Sequence, residues 1–293
     1  MKKKKMKKEY IVFGIIMIVS AIVVLSTSRI GIHKYYYDSE DKLQILFLGD
    51  SNIAYDFGDK SIPQRIAERI DCEIYNCAVG GTTACKINTE NYIDKTIDSL
   101  CLYYLSRIME LENHQTLYDF YEDVSLNEKD AIDSMYMLGT IENEAVDYIV
   151  ISYGLNDYVS GRPVYGSNPR DEMTYAGALR CSIERIQKMF PNAKIILSSI
   201  TYCVFYEDGE VVADGYDKDF GGGTIVAYRD AAQQVASEYD DVYFMNNLEL
   251  LQIDKANYMD YIRDDLHLNA HGQEEYADNF VEIIQEIESG ADE

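Results

Sequence analysis

Short apolar runs bounded by turn residues alternate along this chain with stretches whose apolar residues follow helical spacing. The first pattern predicts buried strands and the second predicts amphipathic helices. The predicted strands span about 43–49, 73–78, 146–152, 193–200 and 242–245. The predicted helices are one that opens at Ser61-Ile62-Pro63 and others over about 174–190, 224–239 and 269–287. Because strands and helices alternate, we predict an α/β fold with a five-stranded parallel sheet covered by helices on both faces.

Two stretches depart from this alternation. Residues 91–142 are long for one crossover and keep helical spacing, so we predict a helical elaboration that forms a wall or lid over a site. Residues 202–223 place Glu207-Asp208-Gly209-Glu210 between Val-rich and Tyr-rich runs, which is typical of a small hairpin. The predicted domain that contains all these elements spans 43–288.

The N-terminus has a pattern of its own. Residues 1–9 contain six Lys, and residues 10–28 are free of charge and mostly apolar. A helix of this length spans a bilayer, and a basic flank stays in the cytoplasm. We therefore predict a cytoplasmic tail (1–9), a transmembrane signal-anchor helix (10–28) and a stalk (29–42), with the remaining chain outside the cell membrane. A cleaved signal peptide is the alternative, although Ser26-Thr27-Ser28 is a poor match to its cleavage site.

Charge narrows the class of partner. The formal net charge is −25, and the basic tail contributes +5, so the rest of the chain carries −30. Such an acidic domain repels phosphate, which argues against nucleic acid as a partner.

The six cysteines do not indicate a metal or redox site, because no CxxC pair is present. Cys72, Cys77 and Cys85 lie close together in the sequence. Outside the cytoplasm they could form one local disulfide, and buried free thiols are an equal alternative.

Candidate catalytic residues lie at the ends of the predicted strands. Gly49-Asp50-Ser51 ends the first strand, the Gly80-Gly81 turn follows the second, and a predicted Gly154-Leu155-Asn156-Asp157 turn follows the third. In parallel α/β sheets the site lies at the carboxyl ends of the strands. Ser51 is therefore a candidate nucleophile, and backbone N–H groups at Ser51 and in the glycine turn, with the Asn156 amide, are candidate oxyanion donors.

A candidate base lies near the C-terminus. Asp264-Asp265-Leu266-His267 allows a carboxylate to hold an imidazole within one turn and to leave its Nε2 facing a nucleophile. Spacing alone leaves open whether Asp264 or Asp265 orients His267. The other histidines are His33, His114 and His271.

Four blocks, taken in order, resemble those of the SGNH (GDSL-like) hydrolase family. They are Gly49-Asp50-Ser51, Asn76-Cys77-Ala78-Val79-Gly80-Gly81, Gly154-Leu155-Asn156-Asp157 and Asp264-Asp265-Leu266-His267. Members often have Leu where this chain has Asn52, and a small residue is common where it has Asp265. The adjacent Gly80 and Gly81 leave room for the oxyanion assignment to slip by one.

The resemblance implies a flavodoxin-like three-layer α/β/α fold and serine acyl transfer. It implies Ser51 as nucleophile, His267 as base and Asp264 as the orienting acid. It also implies an oxyanion hole formed by Ser51, Gly81 and Asn156, with no metal and no cofactor.

We therefore predict a membrane-anchored extracellular serine hydrolase of this type. Its expected substrates are ester-bearing small molecules or acetylated glycans of the cell envelope. One alternative is an O-acetyltransferase that receives its acyl group from a membrane partner. Another is a non-catalytic glycan-binding or assembly protein with the same fold.

Overall fold

A computed structural model describes residues 42–56, 60–87, 100–110 and 129–290 of the chain. Their centre is a five-stranded parallel sheet in the order β2-β1-β3-β4-β7. Its strands are β1 (Leu43–Gly49), β2 (Cys72–Asn76), β3 (Tyr148–Ser152), β4 (Lys194–Ser198) and β7 (Val242–Met245). This is the flavodoxin-like strand order. A separate antiparallel hairpin is formed by β5 (Val204–Glu207) and β6 (Glu210–Asp214).

The helices of the described segments lie between the strands and after them. They are α1 (Ser51–Ala54), α2 (Ile62–Ala67), α3 (Leu102–Glu110), α4 (Lys129–Leu138), α5 (Leu155–Val159), α6 (Tyr175–Met189), α7 (Ile225–Ala236), α8 (Asn247–Leu250), α9 (Tyr258–Tyr261) and α10 (Ala270–Ser289). Two groups pack among themselves: α2 with α10, and α3 and α7 with α6. Together with the sheet, they form the layered α/β arrangement that the sequence predicts.

The central strands are buried on both faces, which explains their continuous apolar runs. All five residues of β3 are buried, as are six of the seven residues of β1. Register aligns the strand ends, since Gly49 pairs with Ser152 and Ser152 pairs with Ser198. The loops that follow β1, β3 and β4 therefore leave the sheet at the same edge.

Local signals set the helix boundaries. Ser61 caps α2 in a capping box with Gln64, and Pro63 lies in the first turn, as the sequence predicts. The short helix α2 is held against α10 by Arg65 and Arg69, which pair with Glu274 and Asp278.

Several boundaries differ from the sequence prediction. The strand β2 ends at Asn76, two residues before the predicted end at residue 78. The Cys77 and Val79 N–H groups nevertheless donate to the carbonyls of Phe47 and Gly49. The strands β3 and β4 are shorter than predicted. The Gly-Leu-Asn-Asp segment was predicted as a turn and instead enters the helix α5.

The predicted elaboration over 91–142 contains α3 and α4, while 91–99 and 111–128 lie outside the described residues. The predicted tail, anchor helix and nearly all of the stalk also lie outside them. Within the described segments, no helix combines the length and apolar content needed to cross a membrane.

All six cysteines are in described segments, and all are free thiols. Of the two alternatives, the structure thus has buried or half-buried thiols rather than a local disulfide. Burial raises the pKa of Cys72 to about 11, and it also raises the pKa of Cys181. These side chains pack as small apolar groups.

Candidate active site

The end of β1 delivers Ser51 to the carboxyl edge of the sheet. Asp50 caps α1 by accepting the Asn52 N–H at 3.1 Å, so the chain turns from strand to helix within one residue. Ser51 is the first residue of that helix and is 7% exposed. Its hydroxyl therefore lies at the top of the sheet, in reach of the loops that follow other strands.

The hydroxyl of Ser51 contacts His267, which is 216 residues away in sequence. The distance from Ser51 Oγ to His267 Nε2 is 2.8 Å. On the other side of the ring, Nδ1 lies 3.0 Å from both carboxylate oxygens of Asp264. The three side chains thus form one hydrogen-bonded chain from carboxylate to imidazole to hydroxyl. The predicted nucleophile, base and acid meet, and their catalytic roles remain predictions.

The loop geometry separates the two candidate acids. Asp264 Oδ1 also accepts the N–H groups of Leu266 and His267, each at 2.9 Å, so its carboxylate is turned back toward the imidazole. Partial burial by itself raises the pKa of Asp264. The hydrogen bonds from Leu266 and His267 outweigh this, and the net effect lowers the pKa. Asp265 is exposed, and its carbonyl accepts the Val204 N–H instead.

The turn after β2 brings candidate donors to the same edge. Gly81 has a φ of 77°, a conformation that favours glycine. A Cβ at Gly80 would lie 2.0 Å from the Tyr55 hydroxyl, so the two glycines are needed for different reasons. In the described segments neither Ser51 N–H nor Gly81 N–H has an acceptor within the protein. Both remain available to a ligand.

Asn156 connects the third strand end to this turn. Its Nδ2 donates to the Thr82 carbonyl at 2.9 Å, which holds the amide beside Gly81. The neighbouring Asp157 is fully buried and accepts the N–H groups of Ala84 and Cys85 at 2.8 and 3.0 Å. The three predicted donors thus belong to adjacent strand ends.

The anchoring role of Asp157 was not predicted from the sequence. Asparagine and aspartate are common turn residues, so the sequence alone does not distinguish Asp157 from an ordinary turn residue. The structure shows that Asp157 is buried and contacts the turn after β2. Burial raises the pKa of Asp157, although the two N–H groups favour its charged form.

Asp50 is a second buried acid that sequence reasoning did not single out. It lines a small cavity with Ser199, Thr201 and Tyr276, and the Thr201 hydroxyl has no partner among the described residues. Burial raises the pKa of Asp50 from 3.8 to about 7, the Asn52 N–H lowers it, and the charge of Asp157 raises it.

The raised pKa of Asp50 predicts a pH-dependent stability. The unfolded chain ionises near pH 4 and the folded chain near pH 7, so this group makes folding less favourable as pH rises between those values. We expect Asp50→Asn to increase the free energy of unfolding at pH 8 by about 2–4 kcal/mol. At pH 4 the two proteins should be equally stable. Urea unfolding at both pH values, with the exposed Asp240→Asn as control, measures this. An equal gain at pH 4 and pH 8 would contradict it.

The remaining candidates are placed as follows. His33 and His114 lie outside the described residues, and His271 is exposed on α10, where it stacks on Tyr261 at 4.8 Å between ring centroids. Within the described segments, no group of three or more His, Cys, Asp or Glu is arranged to hold a metal ion.

Comparison with known proteins identifies the family. The family model described as GDSL-like Lipase/Acylhydrolase matches residues 47–275, so this chain belongs to that family. Membership indicates a hydrolase that acts on esters. The predicted family is thereby confirmed.

Solved structures share the fold at low identity. A protein from Lactobacillus plantarum is 17% identical, with a TM-score of 0.59, covering 83% of this chain and 97% of its own. A protein described as a possible lipase from Chitinophaga pinensis is 16% identical, with a TM-score of 0.54, covering 84% of this chain and 99% of its own. No curated protein matches the sequence.

Proposed function

We propose that this protein is a serine esterase that removes acetyl groups by way of an acyl-enzyme on Ser51. The observation that carries the proposal is the unbroken hydrogen-bonded chain Ser51–His267–Asp264. Hydroxyl, imidazole and carboxylate in this order form an activated nucleophile.

In the first half-reaction, Ser51 Oγ attacks the ester carbonyl and its proton passes to His267 Nε2. Asp264 holds Nδ1 and stabilises the imidazolium that forms. The negative charge that develops on the carbonyl oxygen is met by Ser51 N–H, Gly81 N–H and the Asn156 amide. When the intermediate collapses, the imidazolium gives its proton to the leaving alcohol and the acyl group stays on Ser51.

In the second half-reaction a water molecule gives its proton to His267 and attacks the acyl carbonyl. Ser51 Oγ then leaves and takes the proton back, which regenerates the starting state. Every proton that is removed is returned at Nε2.

We place this esterase on the outer side of the cell membrane, acting on acetylated envelope glycans. The basic residues 1–9 and the uncharged segment 10–28 support an anchor with the hydrolase domain outside. A tethered domain outside the membrane meets envelope polysaccharides at high local concentration.

The O-acetyltransferase is the second candidate. It uses the same acyl-enzyme and replaces water with a sugar hydroxyl in the second half-reaction. The two activities share the same sequence of proton transfers, so the geometry of Ser51 and His267 supports both the esterase and the transferase. They differ in what reaches the acyl carbonyl.

One experiment separates them. The full chain in detergent is incubated with an acetylated polysaccharide, with and without a deacetylated acceptor glycan. We expect free acetate at the same rate in both samples. Acetyl groups on the acceptor would assign the transferase, and failure to cleave either the glycan or p-nitrophenyl acetate would refute the proposed activity.

A further inference from the structure

We propose that Asn52 is a positioning residue, which holds the loop of His267 at the distance at which the imidazole can take the proton of Ser51. This inference rests on the proposed function and concerns a residue where family members often have Leu. Asn52 is 5% exposed, so its side-chain amide is buried.

The contacts of Asn52 bracket His267. Its Nδ2 donates to the Leu266 carbonyl at 3.3 Å, and its Oδ1 accepts the Leu268 N–H at 3.0 Å. These backbone groups belong to the residues immediately before and after His267. One planar amide therefore fixes both peptides that flank the base.

Other contacts shape the loop without joining it to the nucleophile. Ile262 and Leu268 form an antiparallel bridge, and Arg263 N–H donates to the His267 carbonyl at 2.8 Å. Val204 N–H, from the hairpin, donates to the Asp265 carbonyl at 2.9 Å. These contacts close the loop on itself and on β5, so they set its shape rather than its distance from Ser51.

Asn52 sets the distance between Ser51 and the loop of His267, because it follows Ser51 in the same helical turn. Backbone rigidity within α1 relates its side chain to Ser51 Oγ, and its two hydrogen bonds relate the side chain to His267. A leucine at this position would fill similar volume and could neither donate nor accept. Two buried backbone groups would lose their partners, and the loop would be free to shift.

The expected effect is on the chemical step. A misplacement of about 1 Å between reacting groups costs on the order of 100-fold in rate. Asn52 offers its amide to the protein backbone on both sides, so substrate binding should depend on it little. Loss of Asn52 should therefore lower kcat and leave KM nearly unchanged.

The test compares full-length wild type with Asn52→Leu and Asn52→Asp. The aspartate keeps the acceptor for Leu268 N–H and loses the donor to the Leu266 carbonyl. The control is Asp147→Ala, which removes a side chain that accepts Gln44 N–H at 2.8 Å at the opposite edge of the sheet. Each protein is measured for kcat and KM on p-nitrophenyl acetate and for the rate at which a fluorophosphonate labels Ser51, with rates corrected for the folded fraction.

We expect Asn52→Leu to lower kcat and the labelling rate by about 10- to 100-fold, with KM within about threefold of wild type. Asn52→Asp should lie between Asn52→Leu and wild type, and it decides the question if the leucine variant does not fold. Asp147→Ala should keep wild-type rates per folded molecule.

Three results would overturn this role. The first is a kcat for both Asn52 variants within about twofold of wild type, and the second is a raised KM with unchanged kcat, which would indicate a substrate contact. The third is an equal loss in Asp147→Ala. A wild-type protein that neither cleaves the ester nor labels would instead refute the proposed function, and the role of Asn52 with it.

Discussion

Replacing Ser51 with alanine is expected to lower kcat for p-nitrophenyl acetate by on the order of 10⁵-fold, because alanine lacks the hydroxyl on which the proposed acyl-enzyme forms. The change deletes one oxygen, which lies 2.8 Å from His267 Nε2. It leaves the backbone N–H donors and Asn52 in place. The fold should therefore be retained, and residual activity should come from the oxyanion donors and binding alone.

Initial rates of purified full-length protein measure this change, and thermal unfolding confirms the folded state. Ser237→Ala is the matched control, because Ser237 is an exposed serine at the end of α7 whose hydroxyl donates to the Gln234 carbonyl. Its rate should equal that of wild type. Equal rates for Ser51→Ala and wild type would remove Ser51 from the mechanism.

Replacing Asp264 with asparagine is expected to lower kcat by about 10³- to 10⁴-fold. Asparagine removes the charge that stabilises the imidazolium. Its amide can also turn an N–H toward Nδ1, which favours the tautomer that has its proton on Nε2 and cannot accept one from Ser51. Because Oδ1 also holds Leu266 N–H and His267 N–H, the loop should keep its shape while an amide oxygen takes over those bonds.

Asp265→Asn makes the same chemical change one residue away. Asp265 is exposed and contributes its backbone carbonyl to Val204 rather than its side chain to His267. Its kcat should remain within about threefold of wild type, as is usual for an exposed surface substitution. If Asp265→Asn lost as much activity as Asp264→Asn, the assignment of the orienting acid would be wrong.

Apolar patterning was sufficient for the sheet, because buried parallel strands must be apolar on both faces. The run in β3 and the run that ends at Gly49 are examples, and both strands were predicted at nearly their observed places. Local turn composition, in contrast, gave a wrong prediction at α5. A Gly-Leu-Asn-Asp segment favours a turn locally, and helix formation there follows from packing and from the burial of Asp157.

Site chemistry divides in the same way. Parallel strands end together, so residues that follow successive strands are predicted to meet at the carboxyl edge of the sheet. Ser51, the glycine turn and Asn156 each follow a strand, and His267 joins them from near the C-terminus. The choice between Asp264 and Asp265 was beyond sequence spacing. Asp264 and Asp265 lie three and two positions before His267 in the sequence, and the direction in which the loop turns decides that Asp264 is the one that meets Nδ1.

Elements and their order thus follow from patterns within about twenty neighbouring residues, where propensity and periodicity act. Contacts between residues far apart in the sequence do not follow from such local patterns. Asn52 meets the Leu266 carbonyl across 214 positions, and the pKa of Asp50 rises because folding buries it. Such properties depend on which surfaces the fold brings together and removes from water, so tertiary structure decides them.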